Sequence, residues 1–203
     1  MNNTTIETYN IIAKKYRQTF KNDLSESEYY DIFLEKINGK KILDVGCWIW
    51  TYTNYLAIKW FDVLWIDYSD QMLNIAKKEY PKVKFKKMDI KDFQWNEKFN
   101  GIVCANSLFH IQKNYVSNIL HKFYELLKPN GKILFILLNW EWEGFQKEPF
   151  DKNLSTFVNY YSMDEFTTIL DKIWFNTINK FKQKTDDKNA LWTDKIIIIA
   201  KKL

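Results

Sequence analysis

"ILDVGCWIWT", residues Ile42 to Thr51, decides the reading of this chain. The run from Lys41 to Val45 predicts a short buried strand, Gly46-Cys47 a sharp turn, and the residues that follow a helix. A strand that turns on glycine into a helix presents its backbone closely to a ligand, because glycine has no side chain to hold the ligand off. At spacing two after Gly46, where such a loop calls for more glycine, stand Trp48 and Trp50, the bulkiest side chains available.

The rest of the chain supplies the frame for that turn. "FDVLWID" predicts a second strand ending in Asp67, and "VKFKKMD" a third ending near Asp89. "FNGIVCAN" predicts a fourth and the unalternating "KILFILL" a fifth, buried on both faces. Helices are expected between them, one of them "SDQMLNIAKKEYP" with Ser69 as N-cap, and another "YVSNILHKFYELLKPNG" stopped at Pro129. "FNTINKFKQ" and "DKIIIIAKK" close the chain as two strands around a polar turn, "KTDDKNA". Regular strand–helix alternation argues for an α/β fold: a Rossmann-like, seven-stranded, mostly parallel sheet with helices on both faces and an antiparallel last strand.

One domain, residues 1–203, is expected, since no Pro/Gly/Ser linker and no repeat divides it. The amphipathic "TTIETYNIIAKKYRQTF" opens a helical lid, residues 1–38. Residues 139–161 read as an irregular, aromatic insertion beside the substrate site.

Composition narrows the function. The chain is 46% hydrophobic, has no apolar run long enough to span a membrane and no secretion signal, so a cytoplasmic protein without a membrane partner is expected. Two cysteines, Cys47 and Cys104, have no metal spacing and make no disulfide framework, and no metal is expected. The net charge of +5 comes almost wholly from dispersed lysines, with Arg17 the single arginine, so a nucleic-acid partner is not expected.

In an open parallel sheet, ligands bind beyond the carboxyl ends of the strands. The chemistry-bearing residues fall there: Asp44 and Gly46, Asp67, Asp89, then Asn106, Ser107 and His110. Asp67 can accept two hydrogen bonds from a ribose diol, and Asp89 one from an adenine amine. Asp44 before the glycine turn would repel a pyrophosphate and suits a ligand carrying an ammonium. Each aspartate alone also reads as a strand-end cap, but their placement at three successive strand ends favours a site.

These stretches resemble the class I S-adenosylmethionine-dependent methyltransferases over nearly the whole chain. "ILDVGCWIWT" resembles the family's acidic-x-Gly-x-Gly-x-Gly motif, and "KWFDVLWIDYSDQMLNIAKK" its second stretch. "VKFKKMDIKDF", "FNGIVCANSLFHI", "LLKPNGKILFILL" and "YYSMDEFTTILDKIWFNTINKF" are similar to its later segments, and "NWEWEGF" to a Gly-Glu-Gly-Glu-type turn. The resemblance implies S-adenosyl-L-methionine as cofactor and methyl transfer to a small-molecule acceptor. It implies a cofactor site of Asp44, Gly46, Cys47, Trp48 and Trp50 in the first loop, then Asp67, Tyr68 and Met72, then Asp89 and Ile90, with Asn106 after the fourth strand. Tyr16, with Tyr9, lies on the first helix, which closes over the cofactor in the family; an apolar docking stripe is the alternative. His110 is the candidate base or substrate-orienting group, its alternative a structural turn histidine. Phe145, Phe150, Phe157, Tyr160 and Tyr161 line a substrate pocket or pack as core.

Against that pattern, Trp48, Trp50, Trp60, Trp65 and Trp174 stand in glycine slots, and Trp140 and Trp142 match such slots as well. The chain has 9 tryptophans and 5 glycines, against an average of about 7% glycine, or ~14 in a chain of this length. UGA codons are read as glycine in some genetic codes and as tryptophan in others, which would produce this exchange. Taken literally, each such tryptophan overpacks its site at a cost of about 1–3 kcal/mol, and Trp65 is expected to be a packing problem within its strand. A non-catalytic protein of the same fold, a nicotinamide-dependent dehydrogenase and a nucleic-acid methyltransferase are the rival readings. Asp44 and the loop spacing argue against the second, and "CANSLFH" after the fourth strand against the third.

Overall fold

The computed structural model describes residues 3–46, 50–93, 95–184 and 194–203. Two helices come first, α1 (Asn3–Phe20) and α2 (Ser27–Lys36). Then follow β1 (Lys41–Val45), α3 (Trp50–Ile58), β2 (Asp62–Asp67), α4 (Asp70–Glu79), β3 (Lys84–Lys87) and β4 (Phe99–Ala105). A single 3₁₀ turn, Leu108–His110, leads to α5 (Lys113–Leu126) and β5 (Leu127–Leu138). β6 (Glu143–Glu148) and β7 (Asp151–Asn159) precede α6 (Met163–Asp171), β8 (Phe175–Gln183) and β9 (Lys195–Lys202).

Seven strands form one sheet in the order β3-β2-β1-β4-β5-β9-β8. β1 pairs in parallel with both β2 and β4, while β9 runs antiparallel between β5 and β8. The winding reverses between β1 and β4, so their carboxyl ends flank the switch-point crevice. Side-chain alternation builds a core on each face. In β9, Ile196 and Ile198 enter one core, and Ile197 and Ile199 the other, all fully buried. α5 buries Val116, Ile119, Leu120 and Phe123, one stripe at helical spacing, each worth about 1.5–3 kcal/mol. α4 begins as expected on Ser69, whose hydroxyl accepts from the Met72 amide at 3.2 Å.

Three expectations change. Residues 139–161 are not irregular: β6 and β7 form a separate two-stranded antiparallel sheet, with Phe145 opposite Phe157. The stretch alternates only loosely, and the covering helix α1, distant in sequence, completes its burial. Thr5 Oγ1 accepts from the Phe157 amide at 2.9 Å, and Thr8 Oγ1 donates to the Ser155 carbonyl at 2.9 Å. The helix before Pro129 ends at Leu126, three residues early, because Leu127 already pairs with Phe99 and the residue before a proline favours an extended backbone.

Trp65 is the third. It is 1% exposed, stacks on Phe85 at 5.6 Å, and keeps its strand pairing to Asp44 on one side and Phe85 on the other. The strand holds the ring without breaking its ladder, because the neighbouring face is apolar and Asp44 satisfies the indole N–H. Trp60 and Trp174 behave otherwise. Both have φ +64°, and their rings are 82% and 68% exposed. A left-handed backbone costs an ordinary L-residue about 1–2 kcal/mol.

Candidate functional site

Gly46 follows β1 with φ +71°, and a Cβ there would lie 2.3 Å from the Ser107 Cβ. The end of β1 and the turn after β4 therefore touch only because residue 46 is glycine. Ser107 completes the contact by donating to the Val45 carbonyl at 2.8 Å. Asn106, just before it, is held at φ +55°. Its amide nitrogen Nδ2 donates to both oxygens of Glu26, at 3.0 and 3.1 Å, and Lys195 Nζ pairs with the same carboxylate at 2.5 Å. Glu26 is 1% exposed and also caps onto Tyr52, whose hydroxyl accepts from the Glu26 amide at 2.6 Å. A residue in a sparsely populated conformation persists when its surroundings over-determine it, and this buried network does so for Asn106.

Two adjoining cavities open at this crevice. One, of about 350 Å³, is lined by Val45, Gly46, Ile66, Asp67, Tyr68, Met88, Asp89, Ile90 and Ser107. The other, of about 420 Å³, is lined by Ile6, Tyr9, Gly46, Asp67, Ser69, Met72, Asn106, Ser107 and His110. They share Gly46, Asp67 and Ser107. Asp67 Oδ1 accepts from the Ser69 amide at 2.8 Å, and Asp89 Oδ1 from the Lys91 amide at 2.9 Å, which fixes both carboxylates at their strand ends.

The structure thus brings Gly46, Asp67, Tyr68, Met72, Asp89, Ile90, Asn106 and His110 to the cavity walls. Asp44 stands apart. It is 4% exposed, and its Oδ2 accepts from the Trp65 indole Nε1 at 2.7 Å. Burial raises its carboxyl to about 7 despite that hydrogen bond, and the nearby Asp67 charge adds to the rise. Tyr16 is also off the walls. It packs edge-on to Tyr9 at 5.8 Å and against Phe20 and Phe150, as a docking stripe does. Of the aromatic insertion residues, Phe157, Tyr160 and Tyr161 are core, Phe150 packs beneath α1, and Phe145 is half exposed; none lines either cavity. Cys47 and Trp48 lie outside the described residues, as do the Trp50 side chain, Trp192 and most of the turn before β9.

His110 is 3% exposed and bonded at both ring nitrogens: Nδ1 to the Phe157 carbonyl and Nε2 to the Tyr9 hydroxyl, each at 2.7 Å. Burial lowers its pKa to about 4, against the partial support of the Phe157 carbonyl. Cys104, beneath the turn, is pushed up to about 12 by burial and is inert as a nucleophile. Asn10 ties the lid helix to the α4 start, its Oδ1 accepting from Ser69 Oγ at 2.7 Å and from the Gln71 amide at 3.3 Å.

Glu26, Lys195 and Asn10 escaped the sequence reading. Glu26 sits in a polar interhelical stretch with no motif, and Lys195 is one lysine of many. Only their tertiary pairing distinguishes them.

Residues 42–131 match the family model of a methyltransferase domain. The chain is 31% identical over 136 residues, 66% of its length, to a methyltransferase of Invertebrate iridescent virus 6, covering 49% of that protein. It is 30% identical over 122 residues, 54% of its length, to the ubiquinone biosynthesis O-methyltransferase of Actinobacillus pleuropneumoniae, covering 51% of it. The chain therefore spans about half the length of the curated relatives it matches. By structure it is similar to an S-adenosylmethionine-dependent methyltransferase of Methanosarcina mazei, with a TM-score of 0.75 and 17% identity, over 86% of this chain and 98% of that one. It is similar also to the N-methyltransferase NodS of Bradyrhizobium japonicum in complex with S-adenosylhomocysteine, with a TM-score of 0.73 and 14% identity, over 99% of both chains.

Proposed function

We propose that this chain is a class I S-adenosylmethionine-dependent methyltransferase and transfers a methyl group from S-adenosyl-L-methionine to a small-molecule acceptor. The observation that carries the reading is the pair of cavities meeting at Gly46 and Asp67 beyond the switch point. The donor set fits the cofactor. Asp67 would meet a ribose diol, Asp89 and the Ile90 backbone would meet an adenine edge, and Gly46, which lets the end of β1 close against Ser107, would bring its backbone to the cavity wall with no side chain of its own. When bound, S-adenosylmethionine supplies an electrophilic methyl carbon and gives up a sulfonium charge as it is consumed. The residues around it bind, orient and exclude water; among the described residues no helix is long and apolar enough to cross a membrane.

The same proposal extends to the tryptophans. The glycine pattern of the resemblance picked out Trp60 and Trp174 as glycine slots, and both have the left-handed backbone that glycine adopts without cost. Their exposed rings give little in return. We infer that these positions, with Trp48, Trp50 and Trp65, carry glycine in the working protein. Trp65 favours the second reading, a non-catalytic protein of this fold, if the tryptophans are native: its indole takes the Asp44 carboxylate that would otherwise face an ammonium.

Calorimetry with S-adenosylmethionine on the chain as written and on a version with glycine at positions 48, 50, 60, 65 and 174 separates the two. Binding by the glycine version supports the enzyme. Absence of binding by both refutes it. UGG codons at these positions would refute the glycine assignment.

A further inference from the structure

The contacts of His110 settle which of its nitrogens holds the proton. Nδ1 faces the Phe157 carbonyl oxygen, which can only accept, so Nδ1 carries the hydrogen and Nε2 presents a lone pair. That lone pair is not open to the cavity. The Tyr9 hydroxyl lies 2.7 Å away and must be the donor. Tyr9 and His110 stand on the wall of the same cavity as Gly46, Asp67 and Asn106. A proton leaving a bound acceptor reaches His110 only through the Tyr9 oxygen.

We propose that Tyr9 is a catalytic residue that takes the proton of a hydroxyl-bearing acceptor while passing its own to His110 Nε2. This rests on the methyltransferase reading and names the acceptor class for that site. The electron pair of the acceptor O–H bond becomes the new bond to the methyl carbon, and sulfur keeps the pair of the bond it loses. The proton ends on Nε2, so the positive charge lost at sulfur reappears on the imidazolium.

The surroundings select this concerted order. A free phenolate at Tyr9 is disfavoured by burial first, then by the Glu148 and Asp67 carboxylates, and a hydrogen bond with Tyr16 offsets them only in part. Tyr9 therefore loses its proton only as it gains another. Glu148, on β6 and fully buried, and Asp67, at the end of β2, are the charged groups acting on the Tyr9 hydroxyl, and each disfavours a phenolate there; burial disfavours the imidazolium as well, so His110 holds the proton only transiently and has to release it before the next turnover. Tyr16, on α1, is the remaining titratable neighbour. An amine acceptor that binds already neutral has no need of the relay.

The test has two parts. In the full chain, ¹⁵N NMR of His110 reads the tautomer and the Nε2 hydrogen bond directly. The Nδ1–H tautomer is expected, with the Nε2 resonance moving toward a free lone pair in Tyr9→Phe. An Nε2–H tautomer, or no change in Tyr9→Phe, overturns the pairing whatever the chain catalyses. In whichever version binds S-adenosylmethionine by calorimetry, Tyr9→Phe is expected to keep that binding. Its kcat with phenol and alcohol acceptors is expected to fall about 100-fold with KM within twofold. Unchanged or faster turnover in Tyr9→Phe, or methylation confined to amines or thiols, overturns the relay. Failure of every version to bind S-adenosylmethionine instead refutes the methyltransferase reading, and the NMR result stands apart from it.

Discussion

Replacing Trp60 and Trp174 together by glycine, and separately by alanine, tests the backbone reading with a change of sign. Both double variants remove the same two rings, so the burial lost is common to them and cancels. They differ in one Cβ at each site. At φ +64° that Cβ costs about 1–2 kcal/mol, while glycine gives back about 0.5–1 kcal/mol through its freer unfolded chain. The glycine form is therefore expected to be more stable by about 0.5–1 kcal/mol per site, or ~1–2 kcal/mol for the pair. In a chain of 203 residues this raises the melting temperature by about 2–8 °C over the alanine form. Urea unfolding followed by circular dichroism gives the same difference as a shift in midpoint at constant slope. At an ordinary turn or helix end the order is reversed, with alanine ahead. An alanine form that melts at or above the glycine form refutes the claim that these positions require glycine.

Other perturbations follow from the buried charges. Lys195→Met leaves Glu26 buried beside Asn106 without its cation and is expected to cost about 3–5 kcal/mol by thermal melting, most of it recovered in the double variant Glu26→Gln, Lys195→Met. Asp44, raised from 3.8 to about 7, binds a proton in the folded state that the unfolded chain has lost, so it makes stability fall as pH rises from about 4 to 7. His110, lowered from 6.5 to about 4, acts in the opposite sense: the stability it contributes is present above about 6.5 and is lost as pH falls toward 4. Asp44→Asn should thus leave a chain whose stability rises with pH across that window, diverging from the parent by about 4 kcal/mol in urea titrations at stepped pH. Gly46→Ala brings a Cβ to 2.3 Å from Ser107 at φ +71°; a loss of about 2 kcal/mol or more is expected, and Ser107→Gly in the same chain relieves the clash but not the backbone strain.

The centre of the sheet was legible because β1, β2, β4 and β5 are short apolar runs between turn signals, and because burial on both faces of β5 and β9 leaves no polar alternation to confuse it, while the edge strands β3 and β8 are polar and were read from their place in the strand–helix order. The walls of the candidate site were legible from strand ends: Asp67 closes β2, Asp89 follows β3, and Asn106 and His110 follow β4, and all four line the cavities. What the residues hid was tertiary. Thr5 and Thr8 look like ordinary polar helix positions until β7 lies against them. Asp44 reads as a ligand carboxylate, but β1 and β2 run side by side and put it opposite Trp65. Tyr16 and Tyr9 share one helix stripe, yet only Tyr9 reaches the cavity, a distinction of about two turns that spacing alone does not make.

The β6–β7 hairpin hydrogen-bonds to the candidate base through the Phe157 carbonyl oxygen, and that atom decides which face of the imidazole is basic. The hairpin is thus an interchangeable part that carries a chemical setting. A chimera that exchanges residues 139–161 for a loop of another length leaves both cavity linings in sequence unchanged and still alters His110. If the new backbone offers an amide N–H in place of the carbonyl, the tautomer inverts, and Tyr9 finds a donor where it had an acceptor. Any redesign of this hairpin therefore has to preserve a single backbone oxygen before any side chain is chosen.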